Sequence, residues 1–338
     1  MREFYRLCGI RRPEFMGWSQ VELDKKKYQR GLSPMQDTEF AADEFGNELE
    51  RYLVDYKKIR KTVEEAEKIL RPELKDAFFA AVKYPVFCAS AMAEKTLQAQ
   101  EARHFARPEA FNIDDEALEA AVRSWKAYQE ILSLTDYYNN KMSDGKWRGS
   151  MDCAPRKLPV FGEPVFPGKL TEENIQRYAD AEPVKVQLQA DNCIARNACS
   201  WTKATQGARV IDMLGHSMSA VALPRGGKLS YDFSAAKSDS CLLYVGVVPT
   251  QPNDKGDIRF SVSIDGQQPT VISIKEPFRS ENWKRNVMRG QAFRKIPVWV
   301  AYGSHTLTIE ALDDNIIVDQ WMIDYDKNRS FYMVPVGE

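Results

Sequence analysis

The sequence predicts an α+β multidomain protein: an all-α helical bundle followed along the chain by an all-β antiparallel sandwich of jelly-roll or immunoglobulin-like type. Three observations carry this expectation. Apolar residues recur every three or four positions over about residues 44 to 142, they alternate with polar ones over about residues 184 to 325, and 338 residues exceed what one ordinary core supports. The expected divisions are an opening segment over 1–38, the bundle over 39–147, a Pro/Gly-rich crossing segment over 148–183 and the sandwich over 184–338.

The opening segment begins with an apolar and aromatic stretch, and Phe4, Leu7, Phe15, Met16 and Trp18 need a surface to bury against. From Glu48, the residues Leu49, Tyr52, Leu53, Tyr56, Ile59, Val63, Ala66 and Leu70 form the stripe of an amphipathic helix. Pro72 opens a second helix, where its missing N–H does no harm, and Leu74, Phe78, Ala81, Val82, Cys88, Ala89 and Met92 follow with a kink expected at Tyr84-Pro85. Asn112 is the expected cap of a third helix, with Asp114, Asp115 and Glu116 facing its positive end and Leu118, Val122, Trp125, Ile131, Leu132 and Leu134 as its buried face. Phe78, Phe79, Tyr84 and Phe87 lie at helical spacing, the pattern of core packing rather than of a ligand groove. Pro155, Pro159, Gly162, Pro164, Pro167 and Gly168 mark the crossing segment, with one short helix expected at Thr171–Asn174.

After Pro183 the period becomes two. Leu229, Tyr231 and Phe233 alternate with polar residues, as do Ile258, Phe260, Val262 and Ile264 before Asp265-Gly266, and His305, Leu307 and Ile309. Alternation bounded by Asp-Gly turn chemistry is the signature of half-buried antiparallel strands.

Composition narrows the function. A 43% hydrophobic and 28% charged chain is globular, and 47 Lys+Arg against 48 Asp+Glu leave a net charge of -1, so neither nucleic acid nor an anionic membrane is an expected partner. The basic runs at Lys25–Lys27 and Lys57–Lys61 read as solvated faces. No apolar stretch is long enough to span a bilayer, and the charged first residues do not read as a signal peptide. None of the six cysteines forms a C-x-x-C pair; Cys193 and Cys199 are close enough in sequence to bridge, and free thiols are the plainer reading.

No catalytic residue emerges. The three histidines, His104, His216 and His305, have no Gly-x-Ser-x-Gly elbow beside them, and no His or Cys spacing fits a metal. No cofactor is expected beyond a structural calcium ion, for which Asp191, Asp313, Asp314, Asp319 and Asp324 are the candidate ligands at one end of the sandwich. Flat aromatic faces suit pyranose rings. Of Trp201, Trp283, Trp299 and Trp321, the last two lie in apolar strands and read as core, whereas Trp283, in the polar run Ser280–Arg285, is the candidate carbohydrate-binding residue.

A succession of motifs then carries a resemblance. Arg12-Pro13-Glu14-Phe15-Met16-Gly17-Trp18, Asp76-Ala77-Phe78-Phe79 with Tyr84-Pro85-Val86, and Tyr138-Asn139-Asn140-Lys141-Met142 with Gly145-Lys146-Trp147 resemble the C-terminal region of family-115 glycoside hydrolases. Leu214-Gly215, Pro249-Thr250, Val262-Ser263-Ile264-Asp265, Trp283-Lys284-x-Asn286-Val287 and Gly303-Ser304-His305-Thr306-Leu307 resemble its C-terminal sandwich. The resemblance implies a relative of xylan α-1,2-glucuronidases, inverting enzymes that remove glucuronic acid or its 4-O-methyl ether, with the catalytic barrel absent and residues 1–38 as its exit segment. It further implies a chain non-catalytic alone that serves assembly or carbohydrate contact; the alternatives are a subunit of a split α-glucuronidase and a free-standing carbohydrate-binding module. The implied partners are a second copy or an N-terminal catalytic chain, with a plant polysaccharide as ligand; family relatives are typically exported. The sequence departs from the family at Gln189-Ala190-Asp191 and at Asp313-Asp314-Asn315, where Asn315 is expected to take the positive φ of a glycine.

Overall fold

The computed structural model describes residues 1–12, 16, 37–106, 115–157, 159–166, 168–252 and 256–337. The chain divides into two compact units, one within Glu3–Gln187 and one within Leu188–Glu338.

In the helical unit, α1 spans Arg2–Ile10, α2 Glu48–Lys68, α3 Lys75–Phe78, α4 Tyr84–Phe105, α5 Asp115–Asp136 and α6 Glu172–Arg177. The opening segment finds its surface here: Phe4, Leu7, Ile10 and Met16 are buried, and the Tyr52 hydroxyl donates to the Leu7 carbonyl at 2.9 Å. Phe15 and Trp18 lie outside the described residues, as do Asn112 and Asp114. The stripe of α2 is buried as spaced from Leu49 to Val63, and Asn47 caps the helix by accepting from the Glu50 amide. At the expected kink the chain instead makes a π-helical turn over Phe79–Lys83, and Pro85 stands in the first turn of α4, where a missing donor costs nothing. Leu74 and Ala81, expected on the buried face, are exposed. Phe79 and Phe87 are core, and Phe79 meets Tyr137 edge-on with ring centroids 4.6 Å apart.

The buried face of α5 differs from the expected one. Ala117, Ala120, Ala121, Val122, Arg123, Ser124, Ala127 and Thr135 are buried, whereas Leu118, Trp125, Ile131, Leu132 and Leu134 are only half-buried. Opposite them α4 buries Ala89, Ala91, Ala93, Ala99 and Ala102. Small side chains let the two backbones approach closely, and the large ones are left at the rim of the contact. The crossing segment is ordered where it meets α4: Lys95 is buried and donates to the carbonyls of Val160 at 2.6 Å and Gly162 at 3.0 Å. Thr171 and Asn174 close a capping box on α6.

Among its described residues the second unit is antiparallel sheet with one helix, α7 (Glu281–Arg289). Its strands are β1 (Cys193–Asn197), β2 (Lys203–Ala204), β3 (Arg209–Asp212), β4 (Ser219–Leu223), β5 (Lys228–Ala235), β6 (Asp239–Val247), β7 (Arg259–Ile264), β8 (Thr270–Ser273), β9 (Ala292–Val300), β10 (Gly303–Ala311) and β11 (Ile316–Asp324). One sheet has the order β3-β4-β11-β6-β9 with β1 also on β11, and the other β2-β5-β10-β7-β8. Their inward residues form one apolar core in which Trp321 lies 5.3 Å from Tyr231, ring to ring. The strands expected from alternation are all present with the expected faces inward. Asp265 and Gly266, both at positive φ, turn the chain after β7, and Asn315 takes φ 65° in place of glycine. Edge strand β9 carries Pro297, a residue tolerated in a sheet margin because it donates no ladder hydrogen bond.

Candidate functional site

The histidines of the sandwich are held by their neighbours. His305 donates from or accepts at both ring nitrogens, with Asp265 Oδ2 at 2.6 Å and the Ala301 carbonyl at 2.8 Å, and the carboxylate raises its pKa. His216 is buried, stacks on Tyr332, and places Nε2 2.7 Å from the Arg289 carbonyl. In the helical unit, His104 is exposed and pairs with Asp43.

Asp319 is the most constrained group. It sits at a register break of β11 between Val318 and Gln320, a bulge that turns its side chain into the loop Gly215–Ser217. There the fully buried carboxylate accepts from the amides of His216 at 2.8 Å and Ser217 at 3.2 Å, from the Ser217 hydroxyl at 2.6 Å and from Gln291 Nε2 at 2.7 Å. Gly215 is at φ +78°, and a Cβ on it would stand 2.3 Å from Asp319 Oδ1, so only glycine fits.

The other candidate calcium ligands go elsewhere. Asp313 pairs with Arg259 at 2.8 Å and Arg225 at 3.4 Å, Asp324 faces Arg329 at 3.2 Å, and Asp191 and Asp314 are exposed. A strand rise of about 3.3 Å per residue alone sets Asp319 and Asp324 roughly 16 Å apart. Among the described residues no three His, Cys, Asp or Glu side chains gather closely enough to hold a metal ion. Cys193 and Cys199 are not bridged.

Trp283 is half-buried on α7, edge-on to the 76%-exposed Phe278 with ring centroids 5.2 Å apart. It lines a cleft of about 50 Å³ with Pro249, Pro252, Ile274 and Val287. Trp321 is core as expected; Trp299 is not. Trp299 is 64% exposed, because Ile296, Val298 and Val300 take the inward positions of β9 and the pleat turns Trp299 outward. Tyr302, 74% exposed, follows it closely in sequence. The signal for Trp299 lies in the alternation Ile296-x-Val298-x-Val300, which leaves the intervening positions facing outward. A shallower hollow of about 570 Å³ lies among Ile194, Arg196, Phe233, Ser304 and Pro335.

The helical unit buries charge. Arg123 donates to Glu50 Oε1 at 2.5 Å and Oε2 at 3.2 Å, both side chains 4% exposed, and Glu94 lies 3.4 Å from the same guanidinium. Gln98 donates to Glu50 and to Glu101, and Asn47 donates to Glu101. Burial, then the Glu50 charge, pushes the Glu101 carboxyl up to about 7, and burial brings the Lys95 ammonium down to about 8. Beside this network runs a groove of about 930 Å³ between α2, α4 and α5, crossed by residues 181–185. Its lining includes Lys57, Arg60, Lys61 and Lys126, and the Lys57 ammonium pairs with Glu182. The Lys57–Lys61 run carries no local sign of this concavity, which only the positions of α4 and α5 create. No helix of the described residues is long and apolar enough to cross a membrane.

Residues 186–336 match the model of the glycosyl hydrolase family 115 C-terminal domain. Among solved structures, the chain is similar to a family GH115 4-O-methyl-α-glucuronidase, BtGH115A, with specificity for decorated arabinogalactans: 34% identity, TM-score 0.77, 96% of this chain and 38% of that one. This chain therefore spans well under half the length of that relative. Weaker matches are the C-terminal CBM6 of the laminarinase LamC from Zobellia galactanivorans (14% identity, TM-score 0.32, 39% of this chain and 99% of that one) and a family 35 carbohydrate-binding module from Clostridium thermocellum (12%, 0.32, 39% and 98%). No curated protein matches. The helical unit and both sheets are matched together in the glucuronidase, and over residues 186–336 the chain carries the C-terminal domain of glycosyl hydrolase family 115.

Proposed function

We propose that this chain is an accessory part of an α-glucuronidase acting on glucuronate-decorated plant polysaccharide, non-catalytic alone, with the sandwich making carbohydrate contact. The observation that carries the reading is 34% identity to a glucuronidase sustained over 96% of the chain. Support for the non-catalytic part comes from the histidines, each engaged by a carboxylate or carbonyl of its own unit. The relative's specificity for decorated arabinogalactans makes these the first glycans to try, ahead of xylan. Phe278 and Trp283 supply the aromatic ridge on which a pyranose would stack.

The test is affinity electrophoresis of the purified chain through decorated arabinogalactan, glucuronoxylan and their debranched forms. Retardation by a decorated glycan is expected, with Trp283→Ala weakening it about tenfold while circular dichroism stays unchanged. Equal mobility of parent and Trp283→Ala would remove that residue from the contact. Release of glucuronic acid by the chain alone would overturn the non-catalytic reading. A separately encoded catalytic chain that gains activity on mixing would favour the split-enzyme alternative.

A further inference from the structure

We propose that the groove of the helical unit is a second carbohydrate site, one that takes an oligosaccharide bearing a uronic acid carboxylate. The proposal rests on the glycan class argued above and on nothing in the sandwich.

Charge is the first ground. Eight cationic side chains line the groove against five carboxylates. Three of those carboxylates are already matched: Glu182 by Lys57, Glu130 by Arg60, and Glu94 by Arg123. Lys61, Lys68, Lys126 and Lys185 also line it, and among the described residues none of the four has a carboxylate partner. An anion entering here therefore meets ammonium groups that no internal pair has neutralised.

Ser90 is the second ground. The residue is 4% exposed and lines the groove, and its hydroxyl, which is not among the buried side-chain atoms left without a partner, opens onto the groove surface. A hydroxyl facing the groove in this way can donate to or accept from a sugar hydroxyl or carboxylate seated there, in exchange for water.

Together these select the ligand chemistry. Glu64 and Glu65 stand among the lysines and accept hydrogen bonds from hydroxyls, while they would repel the continuous phosphate row of a nucleic acid. A ligand with one carboxylate among many hydroxyls satisfies both sets. At about 930 Å³ the groove lies within the roughly 300–1,000 Å³ of small-molecule sites, room for an oligosaccharide end rather than a single ion.

The experiment is an NMR titration of the whole chain with a glucuronate-terminated oligosaccharide, the same oligosaccharide with its carboxyl reduced to the alcohol, and a single-stranded oligonucleotide. Shifts at Ser90 and Lys126 are expected with the first, weakened about tenfold by carboxyl reduction or by Lys61→Glu with Lys126→Glu, and about threefold by Ser90→Ala. These substitutions lie on the groove wall, and unchanged thermal unfolding of Ser90→Ala keeps the test open should the double variant fail to fold. Equal affinity for the reduced sugar, silence at Ser90 and Lys126, or tighter binding of the oligonucleotide would overturn the proposal. The Trp283 indole signal reports the sandwich in the same titration: movement there with silence at Ser90 fails this proposal alone, and the reverse fails only the sandwich contact.

Discussion

The helical unit and the sandwich solve the same problem, filling an interior, by opposite means. In the sandwich the two sheets bury a single apolar core, and Asp319 in its bulge is answered by two backbone amides, a hydroxyl and a side-chain amide. The bundle is sealed by alanines and threaded by charge: Glu50, Arg123, Glu101 and Lys95 are all buried. Asp319 is held by neutral dipoles, whereas Glu50 is held by a guanidinium whose removal would leave a buried carboxylate without its counter-charge. The interior of the bundle is therefore sensitive to single substitutions in its charged network and, through Glu101, to pH.

The sharpest way to break this contrast is Arg123→Met. It strands Glu50 without its cation, and a loss of about 3–5 kcal/mol is expected in the helical unit. Denaturant unfolding followed by the backbone amide NMR signals of each unit should show the helical transition moving and the sandwich transition staying. Coincident shifts would mean that the units do not unfold separately. Next in size is Gly215→Ala, in which a Cβ 2.3 Å from Asp319 Oδ1 and a positive φ act together. The sandwich should lose about 2–4 kcal/mol, read as a lower midpoint of the sheet transition.

The smallest effect concerns pH. Because the folded unit holds a proton on Glu101 up to about pH 7 while an ordinary glutamate releases it near 4.5, this group costs stability as pH rises through that window. Glu101→Gln should abolish that slope. A gain of about 1–3 kcal/mol over the parent is expected above pH 7, vanishing below the ordinary glutamate value, by chemical denaturation across the range. Parallel curves for variant and parent at all pH values would show that the carboxyl ionises normally in the fold.

These differences also explain what was legible beforehand. Period-two alternation transmits burial directly, so Leu229, Tyr231, Phe233, Leu307 and Ile309 could be assigned to the core residue by residue. Trp299 escaped because its strand looked apolar on both faces. The large residues of α5 were assigned inward by size, whereas the closest helix contact is made by the small ones. The π-helical turn at Phe79–Lys83 leaves a trace only in Pro85, which reads equally well as a kink. As for candidate sites, the polar run around Trp283 agrees with its half-buried position on α7. The groove was invisible because it is assembled from α2, α4, α5 and residues 181–185, and no local pattern records which helix faces which.

Pro297 in β9 has a consequence for self-association. A strand margin interrupted by proline cannot be zipped through its middle to the same margin of a second molecule, because the continuous ladder that such fusion requires lacks a rung there. If two copies pair, this border of the sheet does not stitch them into one extended ribbon; the contact must run through outward side chains, with Trp299 and Tyr302 the broadest surfaces at that border.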